Sequence, residues 1–303
     1  MRNRMMKLIA TAGIAALALT GCAADADGPE AGANGAANTG DDDASLKIAV
    51  FNGWDEGIAV SELWKAVLEE QGYDVELEYA DPAVVYTGLA GGDYDVTLDT
   101  WLPITHEEYV ATYGDDIVDL GAWNDEASLT IAVNEDAPIT SLEELADHAD
   151  EFGGSIYGID PGAGLTKVTQ EAVVPGYGLE GMELVISSTP AMLAELQKRT
   201  DAGENVVVTL WRPHWAYDAF PIRDLEDPQG ALGAAESIHS YGKGDIEETH
   251  PQVAAWLKEF KMSSDLLYSL ENAMFNEYDG DDYGPVVAEW MDENRDFVDG
   301  LTQ

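Results

Sequence analysis

The chain has 303 residues, with 14 Lys and Arg against 59 Asp and Glu, a formal net charge of −45 at pH 7. So acidic a chain has no electrostatic attraction to nucleic acid or to an anionic bilayer face. Its one Cys excludes an intrachain disulfide or a Cys-rich metal site. The acids are spread along the whole length, which suits a solvated surface in a medium of high ionic strength.

Arg2, Arg4 and Lys7 make a basic start, and residues 8–20 (LIATAGIAALALT) are apolar but too short to span a bilayer. This is the pattern of a secretory leader. It ends in Leu19-Thr20-Gly21-Cys22, a tetrapeptide that resembles the bacterial lipobox, whose Cys carries the lipid; an ordinary leader with an incidental Cys is the plainer alternative. The expected organisation is a lipoprotein signal peptide over 1–22 and a flexible acidic tether over 23–45, rich in Ala, Gly, Asp and Asn. A lipidated Cys22 would hold the protein at the cell membrane on its extracytoplasmic face.

From residue 46 strands and helices alternate. LKIAVFN (46–52) is expected as a strand. Residues 58–71 read as an amphipathic helix with Ile58, Leu63, Trp64, Val67 and Leu68 on one face. A strand (73–79), a short helix (82–92), a strand (94–101) and a helix (106–114) follow, and SLTIAVN (128–134) is a strand that could cross into a second lobe. Next come a helix over 141–152, with Ser141 as N-cap and Glu144 completing a capping box, and a strand over 155–160 ending in the turn Pro161-Gly162-Ala163-Gly164. A helix (165–174), a strand (182–187), a helix (190–199) with Pro190 in its first turn and the strand 206–211 complete this half. A second crossing is expected near 236–244, then helices at 250–261, 264–276 and 283–299. The pattern predicts an α/β fold of mostly parallel sheets covered by helices on both faces. The expected lobes are 46–133 plus 240–303, and 134–239, joined by two strands around a hinged cleft.

Two stretches repeat one design: VTLDTWLPITH (96–106) and VVVTLWRPHW (206–215). Each is a β-branched run, as expected of a strand buried on both faces, ending in Trp-x-Pro with a His nearby. Pro103 and Pro213 cannot continue a central strand. Trp101 and Trp211 therefore fall at strand ends, where open α/β sheets bind ligands. Two indoles facing each other across a cleft make an aromatic cage for a quaternary ammonium group.

GWDEGIAVSELW, LDTWLPITH, GIDPGAG and VVTLWRPHW, in this order over nearly all of 46–303, resemble the substrate-binding proteins of glycine betaine/proline ABC importers. The resemblance implies a two-lobed type II periplasmic-binding-protein fold. It also implies an osmoprotectant ligand held by aromatic rings with its carboxylate on backbone amides, and an ABC permease and ATPase as partners. Trp101 and Trp211 match the family's cage tryptophans. Gly57 and Ile58, at the start of the first helix, would offer amides to a carboxylate, and His214 is a candidate contact for it. The third cage Trp has no counterpart: Met262 follows Phe260-Lys261, and the other family position falls in the 161–164 turn. Met262, Trp54, Trp215 or a Tyr could close the box. Glycine betaine, proline betaine, carnitine, choline and dimethylsulfoniopropionate all fit such a cage.

Each candidate has a plainer reading. Trp101 and Trp211 could be core residues at strand ends, His106 and His214 brackets for turns, and Met262 core. Trp64, Trp256 and Trp290 read as core. No nucleophile elbow, His-Glu-x-x-His, P-loop or EF-hand loop is present, so neither catalysis nor a metal or cofactor is expected. A surface lipoprotein that binds or hydrolyses sugars on Trp platforms is the rival function, and a structural or adhesion role the third.

Overall fold

The computed structural model describes Asp41 and residues 44–303; the leader, Cys22 and almost all of the tether lie outside the described residues. Nine strands occur among the described residues: β1 (Ser45–Phe51), β2 (Asp74–Ala80), β3 (Val96–Leu102), β4 (Ile117–Asn134), β5 (Ser155–Tyr157), β6 (Glu183–Val185), β7 (Val207–Arg212), β8 (Ile222–Asp224) and β9 (Glu236–Lys243). They lie in the order β2-β1-β3-β9-β4-β7-β5-β6, with β8 on β4.

The βαβ units give the parallel pairs: β1 with β2 and β3, and β5 with β6 and β7. The antiparallel pairs all involve β4 or β9. β4 passes through both halves. Its residues from Ile117 to Ala127 pair with β9 in the first sheet, and Ser128–Val133 pair with β7 in the second. β9 returns the chain to the first sheet along β3, with Trp101 opposite Ile238.

Physical patterning explains most elements. Val206, Val207 and Val208 are fully buried, as a run without polar alternation requires. The helix Asp55–Glu70 buries Leu63, Trp64, Val67 and Leu68 and packs on β1, β2 and β3. Ser141 and Glu144 form the expected reciprocal capping box. Ser188 caps the helix Thr189–Ala202, with Pro190 in its first turn.

Other elements depart from the sequence expectation. The helix expected over 141–152 stops at Leu145 and resumes as a 3-10 turn, Ala149–Phe152. The 283–299 helix breaks at Asn294 into Gly284–Glu293 and Arg295–Gly300. The first two-thirds of β4 was not expected as strand, because register shifts between Asp119 and Ala127 break its period-two alternation.

Candidate functional site

The first strand hands over to the helix Asp55–Glu70 at Trp54, which sits at the N-cap in extended conformation. Trp101 lies one residue from the end of β3, and Trp211 one residue from the end of β7. Both following X–Pro bonds, Leu102–Pro103 and Arg212–Pro213, are cis. All three tryptophans line one small cavity, with Glu56, Thr105, Leu129, Ile159, Ala163 and Leu165 completing its wall. Lys and Arg are absent from this lining.

Each ring is fixed from behind. The indole of Trp101 donates to Asp99 Oδ1 at 2.7 Å, and that of Trp211 to Glu56 Oε2 at 2.8 Å. Their N–H groups are thus committed to carboxyls. Trp54 stacks on His106, with centroids 5.4 Å apart and planes 17° apart. His106 brackets its turn: the Trp101 amide donates to Nδ1 at 2.8 Å, and the His106 amide donates back to the Trp101 carbonyl. His214 repeats the device, accepting from the Ala216 amide at Nδ1 and standing edge-on to Trp211 at 4.6 Å. Burial lowers both imidazoles to about 3, so both are neutral at physiological pH. Thr105 is held by Glu236, which accepts from the amides of Ile104 and Thr105 at 2.8 Å and from the Thr105 hydroxyl at 2.6 Å.

Behind the rings lie four buried carboxyls. Burial pushes Asp55 up to about 7 despite its bond from Trp215. Burial raises Glu56 well above the usual carboxylate range, and the neighbouring Asp99 charge raises it further. Asp99 is raised by burial against the bond from Trp101, and Glu271 by burial and then by Glu56 and Asp55. Asp55 and Glu56 occupy the first turn of a 16-residue helix, where the macrodipole favours negative charge. Among the described residues none of the four is bonded to Lys or Arg; His214 Nε2, 3.6 Å from Asp55, is the one basic group close by.

The structure brings Trp54, Trp101 and Trp211 together and places the other candidates outside the lining. The Ile58 amide donates to the Trp54 carbonyl at 3.0 Å within the helix. Gly57 lies so close to β3 that a Cβ would meet Asp99 Oδ2 at 2.4 Å. Met262 is buried, its amide bonded to the Trp123 carbonyl and its carbonyl accepting from Asn124. Trp215 points its indole at Asp55. Trp64, Trp256 and Trp290 are buried core, as expected. The sequence reading missed Glu56, Thr105 and the aliphatic wall of Leu129, Ile159, Ala163 and Leu165. The Trp54-x-Glu56 spacing at a helix start was visible, but one acid among 59 carries no signal by itself. No group of His, Cys, Asp and Glu among the described residues has metal-site geometry.

Comparison with known proteins matches residues 44–293 to the family described as the substrate-binding domain of ABC-type glycine betaine transport systems. The glycine betaine/carnitine transport binding protein GbuC of Listeria monocytogenes is 32% identical over 164 residues, 54% of this chain and 52% of that protein. The chain thus spans about half the length of this curated relative. Lactococcal OpuAC, solved in a closed form with glycine betaine, superposes with a TM-score of 0.79 at 25% identity, covering 86% of this chain and 99% of that one. A glycine betaine/L-proline-binding protein from Borrelia burgdorferi gives the same TM-score at 31% identity, covering 86% and 97%. The chain belongs to this substrate-binding family and has its two-lobed α/β fold; the family is one of transport receptors and not of enzymes.

Proposed function

We propose that this member of the family is the extracytoplasmic receptor of an ABC importer and captures a quaternary ammonium solute of the glycine betaine class. The observation that carries the reading is the cavity itself. Three indoles line it, the N–H groups of Trp101 and Trp211 are turned onto buried carboxyls, and no basic side chain lines it. Such a surface presents π faces with the polar N–H edges of two rings already engaged, which attracts a methylated cation. It offers a sugar little: Glu56 and Thr105 are the polar residues of the lining besides the indoles, and the Glu56 oxygen nearest Trp211 is already engaged.

In this reading Trp54, Trp101 and Trp211 form the cage, and Leu129, Ile159, Ala163 and Leu165 take the place of a further aromatic wall. The lobes follow the strand register, which supports crossings near 127/128 within β4 and just before β9. Cys22 is the lipid anchor. No helix among the described residues is long and apolar enough to cross a membrane. The permease and ATPase of the importer are the protein partners.

Calorimetry against glycine betaine, proline betaine, carnitine, choline and a panel of neutral oligosaccharides tests the reading. One ammonium compound should bind and raise the melting temperature, since a ligand at a hundred times its Kd adds about 2.7 kcal/mol of stability. Binding of an oligosaccharide alone would overturn it. The anchor is tested separately: Cys22→Ala should be released from membranes or left unprocessed, and normal retention would refute it.

A further inference from the structure

Trp215 and Asp218 stand outside the cavity lining, yet both reach from one half of the molecule to the other. They follow β7 of the second sheet. Trp215 is the N-cap of the four-residue helix Ala216–Ala219, in helical conformation itself. Positions 215 and 218 are three apart in that turn, a spacing that sets two side chains on one face. The Trp215 indole donates to Asp55 Oδ2 at 2.5 Å. Asp218 Oδ2 accepts from the Asn272 side-chain amide at 2.6 Å. Asp55 opens the helix Asp55–Glu70, which packs on the first sheet, and Asn272 directly follows the helix Ser264–Glu271, which packs on that helix.

These bonds stand beside the one from Trp211 to Glu56. That inner pair lines the cavity, and the outer pair, Trp215 with Asp55, does not. One short segment after β7 thus grips one helix start twice, once at the ligand's wall and once behind it. Neither outer bond uses Lys or Arg. The polarity alternates: Trp215 donates from the second half, and Asn272 donates from the first. A carboxylate only accepts, so an offset that set Asp218 against Asp55 would leave two acceptors facing each other. The two bonds therefore form together in one register.

Resting on the reading of the cavity as a quaternary ammonium site, we propose that Trp215–Asp55 and Asp218–Asn272 form a latch that holds the closed site without touching the ligand and sets how long the ligand stays. All four are positioning residues. The apparent affinity of a site is its intrinsic affinity scaled by the fraction of molecules in the competent state. A bond made only when the halves meet raises that fraction by the same factor for every ligand. The inner pair differs, because Trp211 meets the ligand and its contribution follows the ligand's chemistry. The two tryptophans of the second Trp-x-Pro motif thus divide the work, Trp211 reading the ligand and Trp215 retaining it.

The test is calorimetry and stopped-flow kinetics of glycine betaine and choline chloride with wild type, Trp215→Phe and Asn272→Asp. Trp215→Phe keeps a ring and loses the N–H. Asn272→Asp replaces the donor with a carboxylate facing Asp218. Each should raise Kd roughly three- to thirtyfold, the scale of one hydrogen bond to a carboxylate. The loss should lie in faster dissociation, with association little changed, and the factor should be the same for each compound that the wild type binds. Asp55→Asn keeps an acceptor for the indole and should lose much less than Asp55→Ala. Unchanged Kd and dissociation rate in both variants would overturn the latch while leaving the receptor reading standing. A loss in Trp215→Phe confined to one of two compounds that the wild type binds would put that ring at the ligand and overturn it as well. A lowered melting temperature with wild-type rates in the folded fraction would make Trp215 a support of the fold and overturn its assignment. Failure of the wild type to bind any quaternary ammonium compound would remove the reading and this inference together. Asp218 is exposed and Asn272 half-buried, so Asn272→Asp decides the matter even if Trp215→Phe does not fold.

Discussion

The Trp211 indole N–H reaches Glu56 Oε2 at 2.8 Å across 155 positions of sequence, joining the end of β7 to the first turn of a helix packed on the other sheet. One bond thus orients a cage ring and ties the two halves of the molecule at the cavity. Trp215 repeats it toward Asp55, the adjacent residue of that turn.

Replacing either Trp101 or Trp211 with Ala should weaken glycine betaine binding by roughly 1.5–3 kcal/mol, about ten- to a hundredfold. Phe should cost less, because part of the π face remains, although it leaves Asp99 or Glu56 without its indole donor. Glycine, which has no N-methyl groups, should bind poorly to wild type and respond little to the change. The measurement is a melting temperature without ligand and a Kd for each variant. A lowered melting temperature with an unchanged Kd would show that the ring is core and not cage.

Trp54 and Met262 were both candidates for the third wall, and the structure separates them: Trp54 lines the cavity, Met262 does not. Trp54→Ala should therefore weaken ligand binding by about 0.5–2 kcal/mol, the range of one cation–π contact. Met262→Ala should leave Kd unchanged and cost about 2–5 kcal/mol of stability, as truncation of a buried side chain does. The opposite pattern would put the third wall at Met262.

The division between what was legible and what was not has a physical basis. The Trp-x-Pro repeats could be read because a β-branched run, a strand-ending Pro and an aromatic at the terminus are all local signals. His106 and His214 as turn brackets follow from the same local chemistry. The buried carboxyls could not be read. Asp99 lies in a buried strand and Glu56 on a helix face, and only their tertiary meeting, permitted by the bare Gly57, distinguishes them from the solvated acids around them. The aliphatic wall was equally silent, since Leu129, Ile159 and Leu165 look like ordinary core until the two sheets are brought together.

The cavity is closed by contacts from both halves, so ligand binding should be coupled to their approach. Gly164, at the start of the helix Gly164–Val168, lies where a Cβ would meet the Thr105 carbonyl at 2.3 Å, and Lys167 pairs with Glu108 at 2.5 Å nearby. Gly164 is not among the glycines of positive φ, so a side chain there meets resistance from this approach and not from its own backbone. Gly164→Ala should weaken glycine betaine binding tenfold or more while leaving the ligand-free melting temperature nearly unchanged. Solution scattering should show wild type becoming more compact with ligand and the variant less so. An unaltered Kd in the variant would mean that these loops need not meet for binding.

Asp55 should make the ligand-free protein lose stability as pH rises, and Asp55→Asn should remove that part of the loss. The folded-state value of Asp55 is pushed up to about 7 by burial, from 3.8. Between these values the folded chain holds a proton that the unfolded chain has released, so stability falls with pH throughout the window and levels off above it. The contribution is fully present below about pH 4 and gone by about pH 8. His106 and His214 act in the opposite sense. Held neutral when folded and lowered to about 3, they confer stability that is present above about pH 6.5 and lost as pH falls. They are common to both proteins, as is nearly all of the surface charge, so they cancel in the difference. The difference in unfolding free energy between Asp55→Asn and wild type should therefore grow from pH 4.5 to pH 8 by about 2–4 kcal/mol, given 1.36 kcal/mol per pKa unit and some loss to coupling with the neighbouring carboxyls. Denaturant unfolding at four pH values measures it directly. A difference that stayed constant across the series would show that Asp55 titrates in the folded chain as it does in the unfolded one.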